Sequence, residues 1–171
     1  MFGSTANRLA LPGSDIDVLV CMPNVTCNFT YNLVYETVLH ILIASKEFDE
    51  IEPIKTSQVP IISARHIETG VSLDMVIDRE DGLQGLCLVS CLDKAFSELR
   101  PLYLVIKAFL CNKNLHKPWK GGMGSFVLIN FITCFLQKEY KKRVKENQEP
   151  LPLHALVIYF LDFLGNIFRH K

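Results

Sequence analysis

Ser14-Asp15-Ile16-Asp17-Val18-Leu19-Val20, preceded ten residues upstream by Gly3-Ser4, is the stretch that decides the fold. Its second half predicts a strand over 15–22, ended by Pro23. Asp15 and Asp17 then stand at i and i+2 of one strand, and both carboxylates point to one face. Two like charges side by side are destabilising unless a cation lies between them. Gly3-Ser4 reads as a turn of small residues whose N–H groups and hydroxyl suit phosphate oxygens. A third carboxylate, Asp74, sits inside a second apolar run, Val71-Ser72-Leu73-Asp74-Met75-Val76-Ile77.

Outward from these carboxylates, the first half alternates strand and helix signals. Leu33, Val34, Val38, Ile41 and Leu42 recur at helical spacing over 31–46. Short strands are expected at 48–54, 60–67 and 71–77, the last two forming a hairpin around Glu68-Thr69-Gly70. From residue 83 the pattern changes to long helices, over 83–95, 100–115, 125–143 and 152–168. Pro101 suits a first helical turn. Gly121-Gly122-Met123-Gly124 reads as a flexible turn between two helices, and 145–152 as a loop. The expected organisation is α+β: a mixed-sheet domain over 1–82, then an all-helical domain over 83–171.

The 171 residues admit one ordinary domain or two small ones, and 49% hydrophobic with 21% charged residues excludes wholesale disorder. The formal net charge is zero, so any site for a polyanion must be a local patch. Lys138, Lys141, Lys142, Arg143 and Lys145 crowd one stretch, either as a solvated helix end or as an RNA contact. No charged region followed by an apolar segment succeeds Met1, and the apolar runs are short or interrupted by Lys107 or Asp162. A soluble, intracellular protein without a membrane partner is expected. Cys21, Cys27, Cys87, Cys91, Cys111 and Cys134 lie mostly in apolar segments as small hydrophobes. Cys87 and Cys91 share a helix face, but no further Cys or His pair completes a zinc site. The sequons at Asn24 and Asn28 read as chance matches.

A Gly-Ser turn, a carboxylate pair on one strand and a lone carboxylate on another is the pattern that metal-dependent nucleotidyl transfer requires. Asp15 and Asp17 can bridge two ions, and Asp74 can ligate the ion nearest an attacking 3′-hydroxyl and help take its proton. Hard carboxylate oxygens suit Mg²⁺, or Mn²⁺ in its place. Lys107 interrupts an apolar helix, so its ammonium either snorkels to water or meets a triphosphate. Ser125 opens a helix, where an anion is welcome, and Phe126 either stacks on a base or joins the core.

These residues resemble the Cid/Trf-type atypical poly(A) polymerases of the polymerase-β nucleotidyltransferase superfamily. Phe2-Gly3-Ser4 through Asp17 is similar to the family's GS and DxD element, and Val59 through Asp74 to the segment with its third carboxylate. Leu99 to Leu115 resembles the helix with the triphosphate lysine, here Lys107. Gly121 to Phe126 resembles the Gly-Gly-x-x-Ser-Tyr element, with Phe126 in place of Tyr. Leu153 to Phe168 resembles the start of the PAP-associated region. The resemblance implies a nucleotidyltransferase palm followed by a helical PAP-associated domain, each incomplete at its outer end. It implies addition of AMP from ATP to an RNA 3′ end in nuclear RNA processing or surveillance, with Asp15, Asp17 and Asp74 holding the ions. Gly3, Ser4, Lys107 and Ser125 would hold the triphosphate, with an RNA-binding protein as partner. Terminal uridylyl transfer, or a non-catalytic binding role, are the alternatives. An isolated chain with both ends missing is expected to be marginally stable or self-associating.

Overall fold

Alternation along the strands decides which sheet face is covered by a helix. The computed structural model describes residues 1–21, 28–55, 60–77, 81–118, 121–147 and 149–168, except the side chains of 28–30, 81–83 and 168. Pro23, Asn24, Cys27 and Val59, and the side chains of Asn28 and Asp81, lie outside the described residues. In chain order the elements are α1 (Gly3–Ala6), β1 (Ile16–Val20), α2 (Asn28–Ser45), β2 (Phe48–Ile54), β3 (Ile61–His66) and β4 (Ser72–Ile77). The helices α3 (Asp81–Ala95), α4 (Leu99–Asn112), α5 (Ser125–Glu146) and α6 (Leu153–Phe168) follow. Every expected helix and strand is present, with ends displaced by three residues at most. Two local readings change. Gly3-Ser4 opens the one-turn helix α1 and is not an open turn, and Asp15 lies just before β1 instead of on it.

The chain divides into two compact units, Met1–Leu88 and Val89–Lys171. In the first, a four-stranded mixed sheet runs in the order β1-β4-β3-β2, with β1 and β4 parallel and the other pairs antiparallel. Val18 pairs with Met75, Val20 with Ile77 and Ile62 with Met75, so these side chains share one face. That face packs against Val34, Tyr35, Val38 and Leu42 of α2, with Ile62 and Ile77 fully buried. Burying side chains of this size contributes roughly 1.5–3 kcal/mol each. The Tyr35 hydroxyl, otherwise lost in the core, donates to the Ile61 carbonyl at 3.0 Å. Asp17, Asp74 and Ser63, one residue out of phase with this apolar set, occupy the opposite face.

In the second unit, Leu99, Leu102, Tyr103, Ile106 and Leu110 of α4 are buried at three- and four-residue spacing. They belong to a core with Leu128, Ile132, Phe135 and Leu136 of α5 and Leu156 and Phe160 of α6. Phe135 meets Phe160 edge-on, with ring centroids 5.5 Å apart. Pro101 stands third in α4, where the first turn has no N–H partner to lose. Among the described residues, no helix is long and apolar enough to cross a membrane.

Candidate active site

Parallel pairing of β1 with β4 sets Asp17 directly beside Asp74. The antiparallel pairing of β3 adds Ser63 beside Asp74, and β2 adds Glu52 beside Ser63. One polar row therefore crosses all four strands. The Ser63 hydroxyl donates to Asp74 Oδ1 at 2.8 Å and so tethers the carboxylate. Ser63 escaped the sequence reading because it sits inside the apolar run Val59–Ala64. Strict alternation between Ile62 and Ala64, both buried, was the signal that it faces the other way.

The N-terminus closes over Asp17. The Phe2 N–H donates to the Asp17 carbonyl at 2.9 Å, making an antiparallel bridge. Gly3 then turns with φ +67°, and a Cβ there would stand 1.8 Å from Asp17 Oδ2. Glycine is required on both counts. The Ser4 N–H donates to the Asp17 carboxylate, so what Ser4 can offer a further anion is its hydroxyl. Burial pushes the Asp17 carboxyl above the usual aspartate value. Asp74 pushes the same way, the Ser4 N–H pulls back, and Asp15 adds a smaller push. Asp15, exposed, lies ahead of the pleat, and the Thr5 hydroxyl reaches its carbonyl at 3.5 Å.

Among the described residues, no three His, Cys, Asp or Glu side chains cluster as a ready-made metal cage. The expected trio is thus a close pair, Asp17 and Asp74, with Asp15 at the strand's start, because β1 begins one residue later than the motif suggests. Magnesium needs no such cage, since one or two carboxylates suffice and waters and substrate phosphates complete its shell. Among the described residues no Lys or Arg pairs with Asp17 or Asp74. Two adjacent carboxylates whose mutual repulsion raises a pKa form a donor set that fits a hard divalent cation.

The second unit gathers other residues singled out in the sequence. Lys107 of α4 and Ser125 of α5, 18 positions apart, meet through an Nζ–H···Oγ bond of 2.9 Å. The buried Tyr103 hydroxyl also bonds Ser125; burial raises its pKa and that bond pulls it back. The Lys107 ammonium is therefore held on a hydroxyl at a helix start instead of simply snorkelling outward. Phe126, next in α5, is 53% exposed and has no part in the core. The glycine segment before it is held, not loose. Gly122 N–H donates to the Lys117 carbonyl at 2.9 Å and Met123 N–H to Leu115 at 2.8 Å. A Cβ on Gly122 would stand 2.5 Å from the Leu115 carbonyl oxygen, so the glycine permits a backbone-to-backbone approach.

The chain is similar to three known proteins. Poly(A) RNA polymerase cid14 of Schizosaccharomyces pombe is 29% identical over 99% of this chain and 25% of its own length. Poly(A) RNA polymerase protein 1 of Saccharomyces cerevisiae is 32% identical over 99% of this chain and 26% of its own. The chain thus spans about a quarter of the length of these relatives. The solved polymerase core of TRAMP, an RNA surveillance complex, superposes with a TM-score of 0.82 at 29% identity, covering 98% of this chain and 51% of that one. Residues 1–94, more than half of the chain, match the central palm domain of mitochondrial-like poly(A) RNA polymerase, and the chain belongs to that family.

Proposed function

We propose that this chain is the catalytic part of a template-independent RNA nucleotidyltransferase that adds AMP from ATP to RNA 3′ ends. The observation that carries the reading is the in-register pair Asp17 and Asp74, left without a cation among the described residues and overlaid by Gly3. Asp17 and Asp74, with Asp15 beside them, would hold the divalent ions. Such ions, when bound, neutralise phosphate charge and ease ionisation of the attacking hydroxyl. Asp74, its carboxylate tethered by the Ser63 hydroxyl, is assigned to receive the 3′-hydroxyl proton. The 3′-oxygen then bonds to the α-phosphorus of ATP as the bond to the pyrophosphate oxygen breaks. Gly3 lets the chain approach closely enough for the Ser4 hydroxyl to meet phosphate. In the second unit, Lys107 and Ser125 are the groups we assign to the triphosphate, a cation and a hydroxyl already bonded to each other. Phe126, exposed, is assigned to base stacking, which tolerates any base. The likeness to relatives named poly(A) RNA polymerases supports ATP over UTP. The likeness to the polymerase core of TRAMP supports RNA surveillance within a complex; a nuclear site of action and an RNA-binding protein partner complete the proposal.

The test is incubation of the chain with labelled RNA primer, Mg²⁺ and each nucleoside triphosphate separately. Extension with ATP, absent in the Asp17→Asn variant, is the expected result. Preferred incorporation of UMP would make the enzyme a uridylyltransferase, and extension surviving in Asp17→Asn would remove the carboxylates from the chemistry.

A further inference from the structure

The basic run of α5 finds a counterpart on α6. Between the two helices lies an open groove of about 740 Å³. Lys138 and Lys142, at i and i+4 of α5, line it from one side, and Tyr159 and Phe163, at i and i+4 of α6, line it from the other. Residues at that spacing stand one above the other on a helix face. A cationic ladder therefore faces an aromatic ladder. Tyr159 is 50% exposed, and the Lys138 ammonium lies 5.7 Å from the centre of the Phe163 ring. The acidic side chains of the groove are engaged: Glu139 pairs with Arg143 at 3.8 Å, and Asp162 accepts from the Asn166 amide at 3.1 Å. Lys142 has no ion-pair partner among the described residues.

We propose that the α5–α6 groove binds single-stranded RNA, with phosphates along Lys138 and Lys142 and a base against the exposed Tyr159 ring. A single strand carries charge on one side and flat faces on the other, and the groove sorts its chemistry the same way. An acidic protein segment would answer to the lysines but make no use of the exposed Tyr159 ring. A duplex would answer likewise, because its bases already stack on each other. The proposal extends the reading of the chain as an RNA polymerase by giving the RNA body a hold of its own.

The test measures binding and not extension, so the two readings can fail separately. Fluorescence anisotropy with fluorescein-labelled oligo(A) is followed across a salt series in the Asp17→Asn background. The Lys138→Ala/Lys142→Ala variant should weaken binding at least tenfold and reduce the salt slope by about 1.4, the value for two phosphate contacts on a single strand. Tyr159→Ala should weaken binding roughly tenfold at every salt concentration with an unchanged slope, while Tyr159→Phe keeps parental affinity. All four positions line a surface groove, and circular dichroism of each variant checks the fold. Unchanged affinity in both alanine variants overturns the proposal, as does a parent chain that binds no oligo(A). A Tyr159→Ala effect equally large on duplex RNA, or lysine-dependent binding of polyglutamate as tight as that of RNA, overturns it in favour of a plain polyanion patch.

Discussion

At the β2–β3 edge, Asp49 and Glu50 share one guanidinium. Arg65 donates to both Asp49 oxygens, at 3.1 and 3.2 Å, and reaches Glu50 at 2.8 Å. A bulge between Asp49 and Glu52, with Glu50 at φ +48°, lets two neighbouring acids turn to the same arginine. On the two remaining strands of the same sheet, β1 and β4, Asp17 and Asp74 also stand together, yet the described chain supplies them only a serine hydroxyl and a backbone N–H. The sheet therefore distinguishes two kinds of acidic pair. A pair that serves the fold arrives with its own cation, and a pair that awaits a ligand does not.

The comparison is broken most sharply at Asp17. Asp17→Asn should lower extension by a thousandfold or more, since it removes an ion ligand and its contribution of several kcal/mol to the barrier. The same variant should melt higher than the parent at neutral pH in chelator. The sign follows from the raised pKa: the folded chain disfavours ionised Asp17, so the cost is present at neutral pH and declines as pH falls through the folded pKa. It is gone below the ordinary value of 3.8, where the carboxyl is protonated in both states. Calorimetry at pH 7 and pH 3.5 should show the gain at the first and none at the second.

Gly3→Ala comes next. Its Cβ has nowhere to go but into Asp17 Oδ2, and the backbone must leave φ +67°. Primer extension should fall about a hundredfold, as expected of a displacement near 1 Å at a reacting centre. Ser63→Ala is milder, because Asp74 keeps both oxygens but loses its tether. Mn²⁺ binding followed by electron paramagnetic resonance should weaken about tenfold, and Ser63→Thr, which retains the hydroxyl, should restore it. The smallest effect belongs to the other pair. Asp49→Asn breaks an ion pair whose members are each more than 40% exposed, and should leave the melting temperature nearly unchanged while extension stays at the parental rate. A large loss of extension in Asp49→Asn would erase the distinction between the two pairs.

Much of this site was legible before folding, and the reasons are local. Asp15, Asp17 and Asp74 announced themselves because charge inside β-rich runs is conspicuous, and Lys107 did so inside an apolar helix. What stayed hidden depends on neighbours distant in sequence. Ser63 acquires its role only when β3 lies beside β4, and no local pattern states that pairing. Gly122 looked like loose punctuation because its reason is the Leu115 carbonyl oxygen, seven positions back and round a turn. Tyr159 and Phe163 read as ordinary apolar residues of α6. Only the packing of α6 beside α5 turns them into one wall of a groove.

The parallel pairing of β1 with β4 has a consequence for how the chain folds. The β3–β4 hairpin closes locally through a tight turn at Gly70, but β1 joins β4 across 57 positions of intervening sequence. Contacts between distant segments pay their loop-closure entropy before any reward arrives, so the β1–β4 ladder is expected among the slow steps. Asp17 and Asp74 meet only when that ladder zips. Their repulsion is thus absent from the early, hairpin-containing ensemble and acts late, speeding unfolding more than it slows folding. Ion binding that needs both carboxylates becomes available only at that last step, so a divalent cation acts chiefly as a brake on unfolding.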